Sequence, residues 1–196
     1  MKQYVIKKKE RVDWENVEKG YIDMYPWGNE YTPEAFFQAI YTNDAVIVKL
    51  TCMENDPKAV YSEYMSPVYK DSCLEFFASY ANGGYINCEM NSKGACLIAY
   101  GEGRGGRIPI KDICGTVPKV ESAVLDGVWC ATVTMPFDIL KSVYGDVRFT
   151  SGYEFYGNAY KCGDDCEISH YGMWNAATCE KPDFHRPEFF GKFILE

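Results

Sequence analysis

No run in the sequence reaches the roughly 18 consecutive apolar residues that a membrane-spanning helix needs, and the N-terminal MKQYVIKKKERVDW lacks the apolar stretch of a secretory signal. Positive charge is scarce as well. Twenty Lys and Arg stand against 28 Asp and Glu, a net charge of -8, and beyond Lys7-Lys8-Lys9 no basic cluster is present to neutralise phosphates. Neither nucleic acid nor a membrane is therefore expected as a partner, and the basic triplet reads as a solvated strand end. There is no Gly-Lys-Ser/Thr of a phosphate-binding loop and no serine in a Gly-x-Ser-x-Gly elbow. No internal repeat, low-complexity segment or linker divides the chain. The nine cysteines are odd in number and scattered, with Cys52, Cys73, Cys88, Cys96 and Cys130 singly on expected strands. That distribution reads as buried reduced thiols, and the sequence as it stands as a soluble cytoplasmic protein. If it is a piece of a longer secreted chain, an extracellular site is expected instead.

What the sequence does have is apolar and aromatic bulk, 47% and 16% of its 196 residues, enough for a substantial core in one domain spanning 1–196. Many short apolar runs punctuated by turn residues predict an all-β fold, an antiparallel β-sandwich with one or two short helices. The N-terminal part, with Tyr4, Val5 and Ile6, reads as an edge strand followed by an irregular wrap. Thr32-Pro33-Glu34 ahead of Ala35, Phe36, Phe37 and Ile40 has the residues of a helix start and predicts a short helix. Ala45 to Met53 and Val128 to Met135 read as strands, Ala59 to Met65 as a weaker extended piece. Pro136-Phe137-Asp138 starts a second short helix, Phe149 to Tyr160 a late strand, and Phe189 to Leu195 closes the sheet.

The densest pattern lies between Asp71 and Gly101. Asn82-Gly83-Gly84 and Asn91-Ser92-Lys93-Gly94 mark two tight turns, so strands are expected near Ser72 to Ser79, Tyr85 to Asn91 and Ala95 to Gly101. Alternation gives these strands an apolar face of Leu74, Phe76, Ala78, Ile86, Cys88 and Met90. The other face carries Glu75, Phe77, Tyr85, Asn87, Glu89 and Asn91. Closing the first hairpin sets Phe77 opposite Asn87 and Glu75 opposite Glu89, and two opposed carboxylates repel unless a donor or a cation stands between them. This conflict marks a candidate site.

The ordered series Tyr25-Pro26-Trp27, Asp71-Ser72-Cys73-Leu74-Glu75-Phe76-Phe77, Tyr85 to Asn91, Trp129 to Phe137, Tyr160 to Asp164, His170 to Trp174 and Pro182 to Pro187 resembles family 9 carbohydrate-binding modules, in particular their bacterial subgroup. The resemblance covers nearly the whole chain. It implies a non-catalytic β-sandwich that binds a mono- or oligosaccharide, often at a chain end, in polysaccharide catabolism and in association with a glycoside hydrolase. It implies an aromatic clamp of Trp174 and Tyr69, the latter where the family pattern tends to have Trp. It also implies polar contacts from Glu75, Asn87 and an arginine, Arg104 or Arg107. No cofactor is required by it, although structural calcium occurs among such modules.

The residues alone support the same chemistry. Sugars offer apolar C–H faces and many hydroxyls, which rings, carboxylates, amides and guanidinium groups recognise together. Glu75, Asn87 and Glu89 supply the acids and amide, and an arginine from the glycine-rich loop Gly101 to Gly106 would relieve the acid repulsion. A structural ion-pair network is the plainer reading of the same groups. Trp174, among polar loop residues, is expected to be exposed, while Trp14, Trp27 and Trp129 are expected in the core. Asp164, Asp165 and Glu167 are candidate calcium ligands, and Cys162, Cys166, His170, Cys179 and His185 have a spacing unlike common zinc sites. The alternatives are a small glycoside hydrolase using Glu75 and Glu89 as its carboxylate pair, and a degenerate module with a structural or protein-interaction role.

Overall fold

The computed structural model describes residues 1–196 apart from Asn29 and Asn82, so the first residue of the Asn82-Gly83-Gly84 turn lies outside the described residues. In chain order the strands are β1 (Gln3–Lys8), β2 (Gly20–Tyr21), β3 (Ala35–Tyr41), β4 (Ala45–Met53), β5 (Cys73–Ser79), β6 (Tyr85–Asn91) and β7 (Cys96–Gly101). They continue with β8 (Ile108–Pro109), β9 (Lys119–Leu125), β10 (Val128–Pro136), β11 (Glu154–Gly163), β12 (His170–Met173) and β13 (Gly191–Leu195). The two α-helices are short, α1 (Ile110–Cys114) and α2 (Phe137–Tyr144), and neither is long enough to cross a membrane.

The strands form two layers. One runs β8-β7-β6-β5-β11-β13 with β12 on the flank of β11; the other runs β3-β4-β10-β9 with β2 on β3. β1 belongs to both, its first four residues beside β13 (Gln3 opposite Lys192 to Ile6 opposite Leu195) and its last two residues beside Ile40 and Tyr41 of β3. Both pairings are parallel, so the sheet is mixed rather than antiparallel throughout, and β1 is a shared central strand rather than the expected edge. The inner faces meet in a core of large rings. Phe37 of β3 lies 6.3 Å from Phe76 of β5 and 5.8 Å from Phe193 of β13, centroid to centroid.

The hairpins β5-β6 and β6-β7 form where the turn residues put them. Gly83, Gly84 and Gly94 all have positive φ, which a side chain would strain, and the register is as expected, with Glu75 opposite Glu89 and Phe77 opposite Asn87. The α2 helix follows Pro136 as expected. The late strand is displaced, starting at Glu154 instead of Phe149.

Two expectations are corrected. The helix expected after Thr32-Pro33-Glu34 is instead β3, paired with β4 along its whole length. All seven of its residues are buried, because the N-terminal wrap covers its outer face: Lys19 sits 4.2 Å above the Phe36 ring, and Gln38 Nε2 donates to the carbonyls of Trp14 and Val17. Burial on both faces removes the alternation by which a half-buried strand is recognised. The extended piece expected at Ala59 to Met65 forms no strand. It is a loop held by the buried Asp71, whose carboxylate accepts from the backbone N–H of Val60 and Tyr61 at 2.9 and 3.1 Å and from Asn91 Nδ2 at 2.9 Å.

Candidate functional site

The outer face of the β5-β6-β7 sheet is not open to solvent. Met65 and Tyr69 from the segment before β5, and Tyr171 and residues 182–185 from the segment after β11, border it, so the polar row of β5 and β6 becomes the floor of a cavity of about 500 Å³. Glu75, Asn87 and Glu89 form that floor, and Tyr69, Tyr171, Phe184 and His185 stand around it, with Arg104, Arg107, Asp164 and Asp183 also on the lining. Phe184 is itself fixed by stacking on Tyr160, centroids 4.0 Å apart.

The floor is ordered by Arg107. Its guanidinium lies 4.2 Å above the Tyr85 ring, and all its N–H groups are engaged: Nε donates to Asn87 Oδ1 at 2.8 Å, and the terminal nitrogens to the carbonyls of Tyr85, Ala99, Gly101 and Gly103. Asn87 is thereby oriented with its amide nitrogen toward Glu89, donating to Oε1 at 2.7 Å. The second oxygen of Glu89 is buried and has no hydrogen-bond partner among the described residues. Arg107 thus settles the acid pair through Asn87, without the direct contact to the carboxylates that was expected of an arginine. Arg104 is exposed and paired with Asp183 at 2.8 Å.

Burial pushes both floor acids upward. The Glu89 carboxyl rises to about 7, held back by the Asn87 hydrogen bond and Arg107. Burial also raises Glu75, reinforced by the neighbouring Cys162 thiol and by Glu89, and Cys162 Sγ donates to Glu75 Oε1 at 3.0 Å. His185, whose Nδ1 lies 2.8 Å from the Tyr85 hydroxyl, is lowered to about 4 by burial and by both arginines, so it is neutral at pH 7. The floor therefore offers hydrogen-bond donors and acceptors and a site able to take a proton or a cation.

Of the residues read from the sequence, Tyr69, Glu75, Asn87, Glu89, Arg104 and Arg107 all line this one cavity. Trp174 does not. Its ring is buried in the core between the layers, 5.3 Å from Phe37 and 5.1 Å from Phe193, in space left by Gly191, where any side chain would strike the indole. The exposed ring expected from its polar neighbours is therefore a core plug. Trp129 is fully buried as expected, whereas Trp14 and Trp27 are only half-buried, and Cys130 is half-buried unlike the other strand cysteines. Tyr171, Phe184 and Asp183 were not read as site residues, and His185 was weighed only as a metal ligand. They sit in the segment 171–185, and only its folding back over the sheet reveals them.

For metals, Asp164 lines the cavity while Asp165 is exposed and pairs with Lys70 at 3.5 Å, and Glu167 points to solvent. Among the described residues these three do not gather, and a calcium shell of six to eight oxygens is not supplied by them. His170 lies on the inner side of β11 and β12 and His185 at the cavity, so the five Cys and His residues do not form one cluster either. Among the described residues the one grouping of three is Cys73, Glu75 and Cys162, with ligand atoms within 4.8 Å of one another. Burial raises Cys73 to about 12, which keeps it a thiol.

The opposite face of the same strands carries a second buried polar group. Lys161, fully buried on β11, reaches into the interior, 3.0 Å from Ser72 Oγ, 2.5 Å from His170 Nε2 and 3.5 Å from Glu54 Oε2. Glu54, at the end of β4, also accepts from Ser72 and from the indole of Trp129 at 2.8 Å. Burial alone would raise Glu54, but the Lys161 ammonium and these two donors hold it below the usual carboxylate range. The clasp joins the two layers at one end.

The sequence matches the model of carbohydrate-binding family 9 over residues 7–195. The chain belongs to carbohydrate-binding family 9. No curated protein matches the family 9 chain in sequence. Among solved structures it is similar to one described as a candidate carbohydrate-binding protein from Bacteroides uniformis, with 24% identity and a TM-score of 0.84 over 100% of this chain and 99% of that one. It is also similar to a family 9 module from Caldicellulosiruptor kristjanssonii solved with glucose (12% identity, TM-score 0.71, 100% and 96% covered) and with cellotriose (12%, 0.69, 100% and 94%). At these identities the likeness is one of fold, and it extends over the whole family 9 chain.

Proposed function

We propose that residues 1–196 act as one carbohydrate-binding unit without catalytic activity, taking a mono- or oligosaccharide into the cavity over β5 and β6. The observation that carries this reading is the meeting of Glu75, Asn87 and Glu89 with the rings of Tyr69, Tyr171 and Phe184 in a single cavity of about 500 Å³. That volume suits one or two sugar units, as expected for the end of a longer chain. Tyr69 and Tyr171, both half-buried, take the stacking role first read for Trp174, and the free N–H of Asn87 and the two acids bind hydroxyls. Membership of the family supports the sugar, and association with a glycoside hydrolase in polysaccharide breakdown fits a unit that binds without cleaving.

Calorimetry against glucose, cellobiose and cellotriose tests this, with Tyr69→Ala and Tyr171→Ala each expected to weaken binding about tenfold. Wild-type affinities unchanged in both variants would overturn the clamp. Release of aglycone from aryl glycosides, lost in Glu75→Gln, would assign the acid pair to hydrolysis instead. Trp174→Phe is the control. It shrinks a core ring remote from the cavity, so it should lower stability by about 2 kcal/mol in chemical denaturation and leave sugar affinity within about twofold.

A further inference from the structure

We propose that the cavity selects a sugar bearing a free amine, with the ammonium seated against Glu89 and Glu75; this rests on the carbohydrate reading above and names the sugar class. The first argument is charge. Four carboxylates line the cavity, Glu75, Glu89, Asp164 and Asp183, against two guanidinium groups. Neither guanidinium bonds to the floor pair, because Arg107 is spent on Asn87 and four backbone carbonyls and the exposed Arg104 pairs with Asp183. His185 adds no charge, since burial and the two arginines keep its ring neutral. The lining is short of positive charge where it is most deeply buried.

The second argument is an orphaned atom. Glu89 is almost fully buried on the cavity lining, its Oε1 is occupied by Asn87, and Oε2 is buried with no partner among the described residues. A buried acceptor without a donor is destabilising, and a carboxylate without a cation more so. A neutral hydroxyl repairs only the first fault. An ammonium repairs both, gives a charge-assisted hydrogen bond, and can rest its C–H face on Tyr69 or Tyr171, rings that also favour a nearby cation. Upward displacement of both floor acids by burial is consistent with this, because it marks a place that favours an added positive charge. An N-acetyl group, neutral and larger, does not. The ligand class is therefore glucosamine-type residues with the amine unacylated, as at the ends of deacetylated aminoglycans.

The experiment is calorimetry at pH 7 with glucosamine, glucose and N-acetylglucosamine on the wild-type chain and on Glu89→Gln and Glu75→Gln. Glucosamine is expected to bind at least about tenfold more tightly than glucose, the scale of one charge-assisted bond, and more tightly than the acetylated sugar. In Glu89→Gln, which keeps the acceptor for Asn87, the glucosamine-to-glucose ratio should fall toward one; Glu75→Gln serves where that variant does not fold. Glucose binding as tightly as glucosamine in the wild type overturns this inference alone. A ratio unchanged in both variants removes the floor acids as its cause. No binding of any of these sugars or of cellotriose overturns the carbohydrate reading and this inference together.

Discussion

Replacing Lys161 with Met is expected to lower stability by about 3–5 kcal/mol, the scale for removing one partner of a buried ion pair. For a chain of this length that means a melting temperature lower by roughly 10 °C. The loss does not come from the lysine's own contacts alone. Without the ammonium, Glu54 remains as a buried carboxylate facing Ser72 and Trp129, and His170 loses a partner. Lys161→Met with Glu54→Gln should recover much of the deficit, because the stranded charge is then gone; a double variant as unstable as the sum of the singles would show that the two residues are not coupled. Acid has a related effect. The His170 ring is lowered from 6.5 to about 4 by burial and by Lys161. Unfolded chain therefore takes up a proton on this residue before folded chain does, and stability falls as pH drops from about 6.5 toward 4. The Glu54 contribution, present above its unfolded value of 4.5, is lost below that as the pH falls through its depressed folded value. Urea titrations from pH 7 to about 2 check both signs, and the part due to Glu54 should be smaller in Lys161→Met.

Replacing Arg107 with Ala is expected to abolish measurable sugar binding, a weakening of at least about 100-fold, and to lower stability by about 3 kcal/mol. Arg107 is a positioning residue: all its donors hold Asn87 and the carbonyls around the β6 and β7 ends, and its plane rests on Tyr85. Its loss frees Asn87 to rotate and removes a donor from the Tyr85 and Ala99 carbonyls. Arg107→Lys separates positioning from charge. A lysine keeps the charge near the floor but cannot reproduce a planar five-donor fork, so stability should be partly restored and binding should not. Lysine binding sugar as arginine does would mean that charge alone is what the site needs.

The floor of the site was legible because its information is local. Turn glycines set the β5-β6 register, and alternation then placed Glu75, Asn87 and Glu89 on one face. The roof was not, because Tyr171, Phe184 and His185 reach that face by an excursion whose course depends on distant packing, such as Trp27 Nε1 donating to the Cys179 carbonyl. Trp174 failed for the same reason. Its polar sequence neighbours say nothing about Phe37 and Phe193, which bury it from 137 residues before and 19 after. β3 was misread because a strand covered on both faces has no period of its own. The Lys161 clasp carried no signal at all, since burial of a single lysine is a property of the folded neighbourhood.

The handover made by β1 bears on time. Four of its six residues pair with residues 192–195, almost the full chain away, so a growing polypeptide cannot complete the seam between β1 and the first layer until β13 is available. Until then β1 and β11 present unpaired backbone, the kind of edge that recruits other chains. With so much of the pairing between remote segments, closure of this seam is a natural slow step of folding. The floor of the cavity, built from adjacent hairpins, can form long before it.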